Sequence, residues 1–101
     1  MNKRTKACDI SQKTKKIVWE RDGHCCILCG TPMAKPNAHY IPRSDGGLGI
    51  EQNVVTLCLQ CHHDTDQTVK RNDNLAKIRA YLMGKYEDWD EESLRYKKYG
   101  V

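Results

Sequence analysis

Residues 26–63, CILCGTPMAKPNAHYIPRSDGGLGIEQNVVTLCLQCHH, contain the pattern that decides the fold. Near each end lies a Cys-x-x-Cys pair, first Cys26 with Cys29 and then Cys58 with Cys61. Each pair places two thiolates on one side of a turn, and two pairs complete the tetrahedral set that structural Zn²⁺ prefers. We predict such a zinc site, with a redox-active pair or disulfides as the alternatives. A closed four-cysteine site has no open coordination position, so this zinc would hold the fold together and do no chemistry.

The size and composition of the chain agree with a zinc-stapled domain. The 101 residues predict a single domain, with 30% charged residues, 39% hydrophobic residues and no Phe. So small and polar a core gains from a metal staple. No apolar run is long enough to span a membrane, and no apolar signal region follows the basic N-terminus. We therefore expect a cytosolic protein, in which six cysteines indicate metal binding rather than disulfides.

Positive charge is concentrated at the start of the chain. The net charge is +4, and residues 1–16 carry six basic residues against a single acid, Asp9. The basic residues are Lys3, Arg4, Lys6, Lys13, Lys15 and Lys16. This distribution suits contact with phosphates, and a solvated tail that aids solubility is the alternative.

The order of predicted elements indicates an α+β fold. Ser11 is a candidate N-cap for a helix over 12–21, which Gly23 can end. The segments 37–41 and 53–58 are typical of short strands separated by a glycine-rich loop, and a helix begins at Leu59. Apolar spacing predicts another helix over 73–86, and Asp90 is a candidate N-cap for a last basic amphipathic helix over 91–100.

His39 and Asn53 lie between the two cysteine pairs, on the first strand and at the start of the second strand, and His62 follows the second pair on the next helix. With CxxCG, a His three residues before Pro, a Gly-rich turn, Asn-x-x-x-Leu-Cys and CxxCH, the chain resembles the HNH endonuclease family, particularly the small zinc-stapled members found in phages and prophages. The resemblance covers nearly half the chain. It implies a ββα-metal core with flanking N- and C-terminal helices, and hydrolysis of DNA phosphodiesters with one catalytic divalent cation, usually Mg²⁺ or Mn²⁺.

The resemblance also implies roles for individual residues. His39 matches the general base, which deprotonates the water that attacks phosphorus. Asn53 matches the residue that orients the catalytic histidine through a hydrogen bond. His62 matches the helix histidine that binds the metal, which would polarise the scissile phosphate and stabilise the leaving oxygen.

The chain departs from the family pattern immediately before His39. Many members carry Asp, Glu or His at that position as a metal ligand, whereas this chain has Ala38. Asp66 lies four residues after His62, on the same face of a helix, and is our predicted replacement. Asp64 is the second alternative, although a side chain two residues after His62 on a helix points away from it. A weakly active enzyme is the third.

We therefore expect a single domain over 1–101, with a basic N-terminal arm over 1–10, a zinc-stapled HNH core over 11–66 and C-terminal helices over 67–101. Arg43 is placed for a phosphate, together with Lys13, Lys15 and Lys16, and no helix is suited to reading bases, so we expect DNA binding with weak sequence preference. The alternative function is a non-catalytic zinc-ribbon module that binds nucleic acid or a partner protein.

Overall fold

The computed structural model describes residues 3–97 and has the predicted α+β architecture. Its elements are α1 (Lys3–Cys8), α2 (Gln12–Arg21), β1 (Ala34–His39), β2 (Val54–Cys58), α3 (Leu59–Gln67) and α4 (Arg71–Lys85). Short 3-10 turns lie at Arg43–Asp45 and Glu91–Leu94. Within the described range, no helix combines the length and the apolar character needed to cross a membrane.

The two strands form an antiparallel hairpin whose register changes once. Ala34 pairs with Cys58, whereas His39 pairs with Val54, so β1 contains one extra residue between Lys35 and Ala38. The bulge contains Pro36, which has no N–H to donate to the ladder. The bulge sets the register in which His39 ends β1 opposite the start of β2.

The core lies between the hairpin and the helices that follow it. All five residues of β2 are buried, and Ile78 and Leu82 of α4 pack against the hairpin. Full burial of one such side chain stabilises the fold by roughly 1.5–3 kcal/mol. Tyr81, Tyr86 and Trp89 are partly buried against the same cluster. These aromatic rings therefore act as packing groups of the C-terminal third.

A buried ion pair joins α2, β2 and α4. The side chain of Asp22 is 0% exposed and accepts hydrogen bonds from Arg21 Nε at 2.7 Å, the Thr56 N–H at 2.8 Å and the Tyr81 hydroxyl at 2.7 Å. Arg21 also donates to the carbonyl oxygen of Val54 at 2.7 Å. The two charges are thus fully hydrogen-bonded, which is the condition under which a buried pair is tolerated.

The predicted boundaries of α2 are confirmed. Ser11 Oγ accepts a hydrogen bond from the Thr14 N–H at 3.1 Å, as an N-cap should. Gly23 follows the helix with φ +73°, a left-handed conformation that favours glycine. The predicted strand over 37–41 instead occupies Ala34–His39, because the chain turns away from the hairpin after His39.

The prediction of a last helix over 91–100 is wrong for the residues described, and positions 98–100 lie outside them. After the 3-10 turn that Asp90 caps, the chain is extended: Leu48 N–H donates to the Leu94 carbonyl at 2.8 Å, and Tyr96 N–H donates to the Gly46 carbonyl at 2.7 Å. The glycine-rich loop has backbone groups that need partners, and this segment supplies them.

The predicted basic N-terminal arm contains a short helix within the described residues. Lys3–Cys8 form a six-residue helix, and Cys8 is buried. The C-terminal end of this helix contacts the glycine-rich loop, since the Gly49 N–H donates to the Ala7 carbonyl at 3.0 Å. So short a helix draws its stability from such tertiary contacts rather than from propensity.

The buried pair predicts a large effect of one substitution. Asp22→Ala leaves the Arg21 guanidinium buried without its partner, so we expect the free energy of unfolding to fall by about 3–5 kcal/mol. Urea denaturation of zinc-loaded protein measures it. The control is Asp88→Ala, an exposed carboxylate with no hydrogen bond or ion pair to any described residue, which should change stability by less than about 0.5 kcal/mol. A loss below 1 kcal/mol in Asp22→Ala would contradict the role of the pair.

Candidate functional site

The four predicted cysteines come together at one end of the hairpin. The Sγ atoms of Cys26, Cys29, Cys58 and Cys61 all lie within 4.8 Å of one another, and those of Cys29 and Cys58 are 3.6 Å apart. Four sulfurs at about 2.3 Å from a tetrahedral zinc are about 3.8 Å from each other. The cluster therefore has the size and the donor set of a structural zinc site.

Local backbone structure positions the cysteines in each half of the cluster. In the first knuckle, Gly30 adopts φ +82° and its N–H donates to the Cys26 carbonyl at 2.9 Å, which closes the turn. In the second, Cys58 ends β2 and also caps α3, since its Sγ accepts from the Cys61 N–H at 3.4 Å. One residue thus links the strand, the helix and the cluster.

The thiols differ in their ease of ionisation. Burial raises the pKa of Cys26, but backbone N–H groups of Cys29, Cys58 and Leu28 outweigh burial and bring that pKa down to about 7. Burial and the neighbouring thiols instead raise the pKa of Cys61. Metal binding would shift all four groups to the thiolate form, because a cation displaces the thiol protons.

The two remaining cysteines lie outside the cluster. Cys25 Sγ donates to the Asp22 carbonyl at 3.5 Å, and Cys8 is buried beside the glycine-rich loop. The prediction that Cys26 rather than Cys25 forms the pair with Cys29 is confirmed.

His39 is held by the main chain of the N-terminal helix. Its Nε2 lies 2.9 Å from the carbonyl oxygen of Cys8. A carbonyl can only accept, so in the neutral ring Nε2 carries the proton and Nδ1 presents its lone pair. No described residue forms a hydrogen bond with Nδ1. The imidazole is therefore anchored at one nitrogen and presents a lone pair at the other.

The environment of His39 favours its neutral form. Burial is the main cause that lowers its pKa, and the neighbouring Arg43 and His62 lower it further. The Cys8 carbonyl and the charge of Asp9 act in the opposite direction but do not outweigh these effects. Because the pKa is lowered from the ordinary histidine value, the neutral ring is the favoured form at pH 7.

Asn53 lies at the centre of the loop. Its side chain forms hydrogen bonds to Ile41 and Leu48 and not to His39, so the expectation that this side chain orients His39 directly is wrong. Its side chain is fully buried; Oδ1 accepts from the Ile41 N–H at 2.8 Å, and Nδ2 donates to the carbonyls of Ile41 and Leu48 at 3.2 and 2.8 Å. Both amide protons are thereby used. Its backbone carbonyl accepts from the Tyr40 N–H at 2.7 Å. Asn53 thus fixes the chain that directly follows His39.

His62 and Asp66 lie side by side on α3, as their spacing predicts. His62 Nε2 and Asp66 Oδ2 are 3.4 Å apart, and the two side chains are 34% and 56% exposed. Asp64 points elsewhere, accepting from Gln60 Nε2 at 2.9 Å and facing Lys70 Nζ at 3.8 Å. Within residues 3–97, the cysteines form the only group of three or more metal-ligating side chains, so His62 and Asp66 are a pair.

Ala38 has its side chain in the core. It is 2% exposed and belongs to the cluster that contains Val55, Leu57 and Ile78. The methyl group therefore contributes to apolar packing between the hairpin and α4.

The predicted phosphate contacts occupy two places. Arg43, 47% exposed, follows the strand that carries His39 and forms an ion pair with Asp9 at 2.6 Å. Lys13 and Lys16 are exposed on α2, and Lys15 is half-buried there. Lys15 and Lys16 line one groove together with Ala34 and Pro36 of β1. The basic residues of α2 thus lie next to the hairpin.

Sequence reasoning missed the contribution of Cys8 and Asp9 to the surroundings of His39. The Cys8 group is a backbone carbonyl, which any residue supplies, so its type carries no signal. Gly49 is the residue whose type does carry a signal. A side chain at this position would overlap the carbonyl oxygen of Asp9, so the position requires glycine. A glycine required by close backbone approach indicates that another segment packs on the loop.

The family model described as HNH endonuclease matches residues 26–67. Anaredoxin of Nostoc sp. (strain PCC 7120) is 38% identical over 52 residues, which is 50% of this chain and 68% of that relative. The chain therefore belongs to the HNH endonuclease family, with a four-cysteine cluster compatible with a zinc-stapled ββα-metal fold. The name of that relative specifies no cleavage of DNA, so the match bears on family membership alone. No solved structure matches the chain.

The cysteine cluster predicts that metal and fold are linked. Structural zinc contributes about 10–16 kcal/mol in small domains, comparable to or greater than the roughly 5–15 kcal/mol by which a domain is stable. We expect Cys58→Ser to lose zinc and to unfold, as measured by metal analysis and circular dichroism. Cys25→Ser, outside the cluster, should keep both zinc and structure. A cooperative, unaltered melt of wild-type protein after chelation would contradict the role of the metal.

Proposed function

We infer that the protein is a metal-dependent endonuclease that hydrolyses DNA phosphodiester bonds, with His39 as the general base. The observation that carries this inference is the arrangement of His39. One ring nitrogen is anchored by the Cys8 carbonyl at 2.9 Å, and the other has its lone pair available. The lowered pKa keeps the ring in its basic form at neutral pH.

In the proposed reaction, Nδ1 of His39 takes a proton from a water molecule. The water oxygen forms a bond to phosphorus as the bond from phosphorus to the leaving sugar oxygen breaks, and that oxygen then takes a proton from solvent. The fixed orientation of His39 lowers the entropic cost of placing the water for attack.

His62 and Asp66 would hold the catalytic cation. An imidazole nitrogen and a carboxylate oxygen 3.4 Å apart can both contact one ion, and Mg²⁺ or Mn²⁺ accepts such a partial set because water and phosphate oxygens complete its coordination. When bound, the cation would neutralise charge on the scissile phosphate and the leaving oxygen. His62 also lines a groove that includes Lys35 and Asn37.

The basic residues support DNA as the substrate. Arg43 lies near His39, and Lys13, Lys15 and Lys16 continue the positive charge along α2. Such contacts with phosphates position a duplex and carry little sequence information, so we propose weak sequence preference.

Removal of the base should abolish most of the activity. General-base catalysis contributes about 10²–10⁴-fold to rate, so we expect His39→Ala to cut plasmid DNA slower by that factor with Mg²⁺ or Mn²⁺. The matched control is His24→Asn, because His24 is an exposed histidine with φ +61°, a conformation that Asn tolerates. Equal cutting by wild type and His39→Ala would show that the base is wrongly assigned. If wild type cuts with neither ion, the non-catalytic nucleic-acid-binding module becomes the better interpretation.

The proposed ligands predict different effects of two neighbouring carboxylates. Asp66→Ala should weaken Mn²⁺ binding to zinc-loaded protein by about tenfold or more, which corresponds to about 1.4 kcal/mol. Asp64→Ala should change the affinity little, since that carboxylate accepts from Gln60. Electron paramagnetic resonance of Mn²⁺ measures both. An unchanged affinity in Asp66→Ala would remove this residue from the site.

A further inference from the structure

We define the N-terminal strap as residues 3–9. Both ends of the strap contact the loop that follows His39. Arg4 donates to the carbonyls of Ser44 and Arg43 at 2.8 and 3.3 Å. Asp9 forms its ion pair with Arg43 at 2.6 Å at the other end. The strap is therefore fastened to the loop from both sides of α1.

The hydrogen bonds of the last carbonyl groups of α1 explain why the strap lies against the loop. A helix leaves its last four carbonyl groups without partners in the helix itself. Those of Thr5 and Lys6 accept from the Asp9 N–H, at 3.1 and 3.3 Å. That of Ala7 accepts from the Gly49 N–H at 3.0 Å, and that of Cys8 accepts from His39 Nε2 at 2.9 Å. Two of the four groups are thus satisfied by the segment that carries the proposed base.

We propose that the N-terminal strap is a positioning element of the nuclease site, in which the Cys8 carbonyl holds the Nε2–H of His39 and so directs the lone pair of Nδ1 toward the attacking water. The inference about rate rests on the proposed nuclease function. The hydrogen bond itself can be tested without any cleavage of DNA.

Gly49 offers a way to move the strap without changing a polar side chain. A Cβ at this position would overlap the carbonyl oxygen of Asp9, and the carbonyl of Cys8 lies next to it. These are backbone atoms that cannot rotate aside, so the strap must shift in Gly49→Ala. The control is Gly84→Ala in the last turn of α4, where a Cβ meets nothing within 4 Å.

The experiment compares wild type, Gly49→Ala and Gly84→Ala, each labelled with ¹⁵N-histidine and loaded with zinc. In wild type and Gly84→Ala we expect a hydrogen-bonded Nε2–H resonance of His39 that exchanges slowly with water. In Gly49→Ala we expect this resonance to broaden or disappear. In the same variant, kcat for plasmid nicking should fall by about 10- to 100-fold because the base is misplaced. A change in KM would report movement of Arg43, which pairs with Asp9 of the strap.

Arg4→Ala provides a second variant in case Gly49→Ala fails to fold. It removes the hydrogen bonds to the loop carbonyls without adding bulk, and it should produce the same changes in the Nε2–H resonance and in kcat at smaller size. KM is not a readout for this variant, because Arg4 carries one of the positive charges that suit contact with phosphates. Zinc content and melting temperature report folding. A folded Gly49→Ala that retains both the slowly exchanging Nε2–H and the wild-type kcat would overturn the proposal. If wild-type protein cuts no DNA, the proposed function fails, while the resonance still decides whether the strap holds His39.

Discussion

The sulfur cluster of Cys26, Cys29, Cys58 and Cys61 is the constraint on which the rest of the structure depends. Cys58 is at once the last residue of β2, the N-cap of α3 and a member of the cluster. Its position therefore fixes the angle at which the helix leaves the strand. His62 comes directly after Cys61, so the placement of the proposed metal ligand follows from the geometry of the cluster. A metal site at this junction adds to the stability that a small apolar core supplies.

A second constraint acts on the loop that closes the hairpin. Asn53 has no exposed surface, and its side chain bonds three backbone groups of Ile41 and Leu48. A buried amide satisfied in this way specifies a single loop conformation, because losing any partner would leave a polar group without water. The cysteine cluster thus sets one end of the hairpin, and Asn53 sets the end that carries His39.

The sequence predicted the parts of the fold and site that depend on residue type and spacing. The cysteine pairs, the cap at Ser11 and the (i, i+4) pair of His62 and Asp66 all have such a pattern. The Cys8 carbonyl and the extended segment around Leu94 and Tyr96 have none, because backbone groups are common to every residue. The predicted C-terminal helix was wrong for this reason: the need of the loop for backbone partners outweighed local propensity.

The charges around His39 provide a reason for alanine rather than a carboxylate at position 38. Arg43 and His62 lower the pKa of this histidine, whereas Asp9 raises it. A carboxylate in place of Ala38 would add a negative charge next to His39 in the chain, and without a bound cation that charge would favour the imidazolium form. It would also place a charge among the apolar side chains that surround Ala38. With the carboxylate on α3 instead, as Asp66, a cation could be bound while the residue next to His39 stays neutral and the core stays apolar.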